Sequence, residues 1–128
     1  VNAPTAQITF LYYADLAPAA AFYGETLGLP LVLDQGWAKI YRVAAGAHLG
    51  IVTGAAAFHQ PQEHNAVLIS LVVADAAAWC ARLQAAGVPI LRPLAERPEI
   101  HLRTCFVQDP GGYAVELQEF TDAGLNPD

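Results

Sequence analysis

Two stretches of the chain pass from an apolar run to an alanine-rich run in the same order. Ile8 to Tyr13 and Val67 to Val73 are β-branched, aromatic and aliphatic over one strand's length, and each leads into an Ala-Asp pair, Ala14-Asp15 and Ala74-Asp75. A short carboxylate there accepts from the free N–H groups of a helix's first turn, so both aspartates predict a helix start. Pro18 is tolerated because that turn donates no intrahelical bond. Leu16, Ala19, Ala20, Tyr23 and Leu27 form one apolar stripe, and Ala76, Trp79, Cys80, Leu83 and Ala86 form another, with Arg82 off the stripe and outward. Gly28 and Gly87 stop the two helices.

Three strand candidates follow each helix: Pro30 to Leu33, Trp37 to Val43 and His48 to Val52, then Pro89 to Leu91, His101 to Val107 and Tyr113 to Phe120. The copies lie roughly 60 residues apart, about half the chain. The fold expected is α+β: two βαβββ modules forming a curved, cup-like mixed sheet with helices outside. Module one spans about 5–53, a linker 54–65, module two about 66–121 and a C-terminal tail 122–128, all within a single domain at 1–128.

Composition adds little to the fold but narrows the partners. Hydrophobic residues are 55% and charged residues 14%, the reverse of a disordered chain. The net charge of −6 lacks the clustered Lys and Arg that a nucleic acid needs. No apolar run approaches the ~18 residues of a membrane span, and no basic n-region followed by an apolar run opens the chain, so the expectation is a cytoplasmic protein with no membrane partner. Cys80 and Cys105 fit no metal spacing and read as two reduced thiols in that compartment.

The run Phe106-Val107-Gln108-Asp109-Pro110-Gly111-Gly112-Tyr113-Ala114-Val115-Glu116-Leu117 carries a tight turn in Asp109 to Gly112, with Pro presetting one dihedral and Gly supplying positive φ. With Ala14-Asp15, Phe22-Tyr23 and Leu27-Gly28-Leu29, it resembles the vicinal oxygen chelate superfamily, which includes glyoxalase I, extradiol dioxygenases, and the fosfomycin and bleomycin resistance proteins. The resemblance covers nearly the whole chain. It implies a metal held inside the cup by one side chain from the first and one from the last strand of each module. Counting back seven from Asp15 and Asp75 puts those first-strand positions on Ile8 and Leu68, and aligning the last strands puts Gly50 opposite Glu116. Only Glu116 can ligate, so no metal and no other cofactor is expected; a catalytic divalent ion needs about three protein ligands. A rearranged set of His48, Glu116 and one more histidine, such as His64, would require slips in both modules.

Strand alternation groups the side chains of the expected cup. Ile8, Phe10 and Tyr12 fall together, as do Leu68, Ser70 and Val72; on the long strands so do Trp37, Lys39 and Tyr41, and His101, Arg103 and Cys105. The ligand-binding candidates are Tyr12, Trp37, Tyr41, His48, His101, Arg103 and Glu116, with Glu116 also the candidate catalytic residue. Tyr12, Trp37 and Tyr41 would stack on a planar or cationic ligand. Arg103 or His101 would pair with Glu116, or Arg103 would bind an anionic substrate or stand on the surface. Cys105 is more readily an inert buried thiol than a nucleophile, Ile8 and Phe10 are readily core, and His59 reads as a solvated loop residue. The missing ligands, the aromatic cup and the acidic charge lead to the expectation of a metal-free protein binding a small molecule, similar to the antibiotic-sequestering resistance proteins, and the resemblance implies a homodimer. The alternatives are a glyoxalase-like lyase, isomerase or dioxygenase using a rearranged metal site or Glu116 as general base, and a purely structural module.

Overall fold

The computed structural model describes residues 2–127; Val1 and Asp128, the outermost residues of the expected domain and tail, lie outside them. The chain divides into two compact units between Glu63 and His64. In module one, β1 (Gln7–Tyr12) leads to α1 (Leu16–Ala20), then to β2 (Leu31–Asp34), β3 (Ala38–Ala44) and β4 (Ala47–Val52). In module two, β5 (Leu68–Val72) leads to α2 (Ala76–Ala85), then to β6 (Ile90–Arg97), β7 (Leu102–Gln108) and β8 (Ala114–Phe120). The sheet orders are β1-β4-β3-β2 and β5-β8-β7-β6, with the first pair of each parallel and the others antiparallel. The two βαβββ modules of the α+β expectation are therefore present, each a four-stranded mixed sheet.

Both helices begin where the aspartates predict. Asp15 Oδ1 accepts from Ala17 N at 3.1 Å, and Asp75 Oδ1 from Ala78 N at 3.0 Å. The first helix departs from the expectation after one turn. It widens into a π-helical segment, Ala21–Thr26, closed by Leu27 N donating to Phe22 O, five residues back, at 2.8 Å. The widened turn buries Phe22 as well as Tyr23, while Ala20 is only half-buried. In α2, Ala76, Cys80 and Leu83 are buried; Trp79 is half-buried with Arg82 over its ring, and Ala86, the cap, is exposed.

Strand β6 runs past the expected Leu91 to Arg97 and contains Pro93. As the edge strand it needs no donor on its outer side, so the proline is tolerated, with shifts of register on either side of Arg92. The Asp109–Gly112 turn forms as expected. Asp109 Oδ1 accepts from Gly111 N at 2.9 Å and Tyr113 N at 2.8 Å, and Gly112 takes φ 87°. Among the described residues no helix is long and apolar enough to cross a membrane.

Each sheet has a helix-covered face and an open one. In module one the covered face carries Leu11, Tyr41, Leu49 and Ile51, with Tyr23 of the helical segment 6.5 Å from Tyr41 between ring centroids. In module two it carries Ile69, Leu71, Cys105, Val107, Val115 and Leu117 beneath Cys80 and Leu83 of α2. The open faces keep large apolar groups in solvent: Ile8 and Phe10 on β1, Leu68 and Val72 on β5.

Candidate functional site

Glu116 lies on the open face of module two, because its neighbours Val115 and Leu117 are committed to the helix side. Its cross-strand partners are Ser70 on β5 and Phe106 on β7. Although that face is open, Glu116 is only 5% exposed. Thr104 Oγ1 donates to its Oε2 at 2.7 Å, and Gln118 Nε2 donates to the same oxygen at 3.3 Å. Two donors on one oxygen stabilise a buried carboxylate that has no ion pair among the described residues. No hydrogen bond to Oε1 is made there, so the carboxylate keeps one acceptor atom for something else.

Arg103 does not reach this site. It stands opposite Glu119 and Glu96, on the helix-covered face, one pleat out of phase with Glu116. Its Nε and Nη2 donate to Glu96 Oε1 at 2.9 and 2.6 Å, and its Nη1 donates to Glu119 Oε2 at 3.0 Å. The Glu96 contact is the main cause raising its pKa, and Glu119 adds to it. Glu119 Oε1 also accepts from Ala76 N at 3.0 Å, so the cluster ties the sheet to the start of α2. The expected pairing of Arg103 with Glu116 is corrected accordingly, with Thr104 in the place given to Arg103.

His101 is corrected too: it precedes β7, adopts a left-handed φ of 56°, and is exposed. Tyr41 belongs to the core rather than to a binding face, because its ring packs over Gly24, where an added Cβ would lie 3.2 Å from Cε1. That burial raises the pKa of its phenol. Tyr12 shares the open face with Phe10, and its ring meets His59 edge-on at 5.3 Å; His59 also contacts Phe58 at 4.7 Å. His59 is thus exposed, as expected of a loop residue, but folded against β1. Trp37 stands just before β3 and is 57% exposed. With Thr53, Gly54, Ala55, Ala56 and Ala57 it lines a cavity of about 300 Å3, whose loop is tied down by Gln60 Nε2 donating to the carbonyls of Gly54 and Ala55. His48 lies on the open face of module one, opposite Ile8 and Arg42. Sequence reasoning missed Thr104, Gln118, Arg42 and this loop.

Cys105 is a core thiol. Burial, with a contribution from a hydrogen bond to Cys80, pushes its pKa up to about 12, the opposite of what a nucleophile needs.

The register tests the metal implied by the resemblance. Phe10 pairs with Gly50 in module one as Ser70 pairs with Glu116 in module two, so Gly50 and Glu116 are equivalent positions. The Phe10 ring lies where a side chain at position 50 would begin, and a Cβ built on Gly50 runs into it. Module one supplies no ligand at its two positions, and module two supplies Glu116 alone. No group of three or more His, Cys, Asp or Glu able to hold an ion occurs among the described residues. These side chains do not fit a divalent metal.

Two βαβββ modules, each with one helix-covered and one open sheet face, define a two-module α+β protein. A model of the glyoxalase/bleomycin resistance protein/dioxygenase superfamily matches residues 5–117, and the chain belongs to that superfamily. Among solved structures, it is similar to TioX from Micromonospora sp. ML1 (20% identity, 90% of this chain and 98% of that one, TM-score 0.74). It is also similar to a lactoylglutathione lyase from Agrobacterium tumefaciens (25%, 92% and 95%, 0.70) and a glyoxalase-related enzyme from Fulvimarina pelagi (27%, 88% and 85%, 0.69). No curated protein matches the chain in sequence.

Proposed function

We propose that this chain binds a small molecule without a metal, and that Glu116 receives the ligand's hydrogen-bond donor or cationic group. The observation that carries the reading is the Glu116 carboxylate itself: buried on an open sheet face, anchored through Oε2 and free of any hydrogen bond from the described residues at Oε1. Phe106, Leu68 and Val72 lie on that face beside the polar Ser70, Thr104 and Gln118, so apolar surface and placed polar groups meet there, as small ligands require. In module one, taken by itself, Tyr12 and His48 on the open face and Trp37 beside its cavity are the proposed ligand-binding residues. The net charge of −6 favours a cationic ligand. Membership of a superfamily that includes resistance proteins supports a sequestering role, as a cytoplasmic homodimer.

Titration with aromatic amines and amidines, followed by tryptophan fluorescence, tests this directly. Saturable binding is expected, and Glu116→Gln is expected to weaken it by about tenfold or more, as loss of a desolvated charge partner does. Absence of binding at high micromolar concentration, or stoichiometric Zn, Ni, Mn or Fe in protein purified without chelator, contradicts the reading. The same free oxygen also suits a general base acting without metal. Turnover of a substrate that is lost in Glu116→Gln, in metal-free protein, would establish that second reading.

A further inference from the structure

Among the described residues, five of the chain's six basic side chains have a partner. Lys39 pairs with Asp34, Arg97 with Glu99, and Arg103 with Glu96 and Glu119, while Arg82 covers Trp79 and Arg92 covers Phe106. Arg42 donates its backbone N–H to Pro30 O at 2.9 Å, but its side chain makes no ion pair, hydrogen bond or ring contact with them, although acidic residues outnumber basic ones two to one in this chain. It is exposed on the open face of module one, one pleat out of phase with buried Tyr41.

Directly opposite Arg42 in the β3–β4 ladder stands His48, and beyond His48 on β1 stands Ile8. Opposed residues of antiparallel strands hold their Cβ atoms roughly 4.5–5.5 Å apart on one face, so the guanidinium and the imidazole are within reach of one small ligand. His48 Nδ1 is sealed from solvent and has no hydrogen-bond partner among the described residues. A buried N–H without an acceptor is costly, so the neutral tautomer that fits this setting carries its hydrogen on Nε2. Two donor side chains, one a planar fork, thus leave opposed positions of one sheet face with no acceptor among the described residues, on the face that carries the exposed Ile8 and Phe10.

We propose that Arg42 and His48 form an anion subsite on the open face of module one, taking the carboxylate or phosphate of an otherwise apolar ligand. The guanidinium accommodates two oxygens in plane, His48 Nε2–H donates to one of them, and the ligand's body lies over Phe10 and Ile8. Both residues belong to module one, and the proposal uses no property of Glu116.

The test is an NMR titration of the full chain at pH 7.5 and constant ionic strength, following the ring resonances of His48, assigned with His48→Gln. Inorganic phosphate is one probe, benzoate the other, and sodium chloride the reference. A saturable shift with one or both probes is expected, with half-saturation in the millimolar range, and Arg42→Gln is expected to weaken it at least fivefold while Arg82→Gln leaves it unchanged. A larger response to benzoate assigns an aromatic carboxylate, a larger response to phosphate a phosphate. A shift no greater than that with chloride, or one unaltered in Arg42→Gln, overturns the proposal. Arg42 is exposed, so its variant folds, which unchanged dispersion of the remaining resonances verifies.

Discussion

Gly50 and Glu116 occupy equivalent places in the two modules, and their partners are complementary in size: a phenyl ring beside the glycine, a serine beside the glutamate. Gly50→Ala is therefore expected to lower stability by about 1–3 kcal/mol, the usual cost of overpacking, and Phe10→Ala in the same chain to relieve most of it. Denaturant melts of the two single variants and the double variant measure that coupling. Cys105 gives a pH-dependent expectation. Its thiol is raised in the folded protein from 9.0 to about 12, so the folded state holds the proton more tightly than the unfolded chain. Stability from this group is complete below about pH 9 and is lost as pH rises from there toward 12. The denaturation midpoint should fall across that window and fall less in Cys105→Ala, leaving the slope contributed by Tyr41, whose phenol is raised in the same sense.

At the scale of elements, the aspartate caps were legible because capping is a contact of two or three residues along the chain. Asp75→Ala should cost about 1 kcal/mol in a thermal or urea melt. Glu119 was not legible, since it caps α2 from β8, across 43 residues. Glu119→Ala should destabilise more than Glu96→Ala, because Glu119 is part-buried and holds both Ala76 N and Arg103, whereas Glu96 is exposed and holds Arg103 alone. The π-helical widening after Ala20 left no mark in the hydrophobic spacing, which a 3.6-residue period fits through Tyr23. Thr104 had a readable signal. Counting outward from the Asp109–Tyr113 closure, Gln108 faces Ala114 and Phe106 faces Glu116, which puts Thr104 and Gln118 on the Glu116 face and Arg103 on the other.

For the whole molecule, the side chains at the ligand positions argue against a structural or catalytic ion. Extensive dialysis against EDTA should leave the melting temperature unchanged within about 1 °C, since a bound ion of useful affinity would add several kcal/mol. A fall of many degrees, restored by one divalent metal, would show that residues other than these hold an ion. The two modules share their plan but not their open-face chemistry: Arg42 and His48 donate on one, Glu116 accepts on the other.

The repeat, the element order, the helix caps and the Asp109–Gly112 turn were determined by the sequence alone, because each depends on neighbours along the chain or on a period that a single strand displays. The tertiary structure decided which half of each strand is covered. Alternation sorts residues into two sets but is symmetric to exchanging them, and only packing against a helix breaks that symmetry. That packing sent Tyr41 and Arg103 to the covered faces and left Thr104, Arg42 and His48 on the open ones, so the residues that define the proposed sites were set by it.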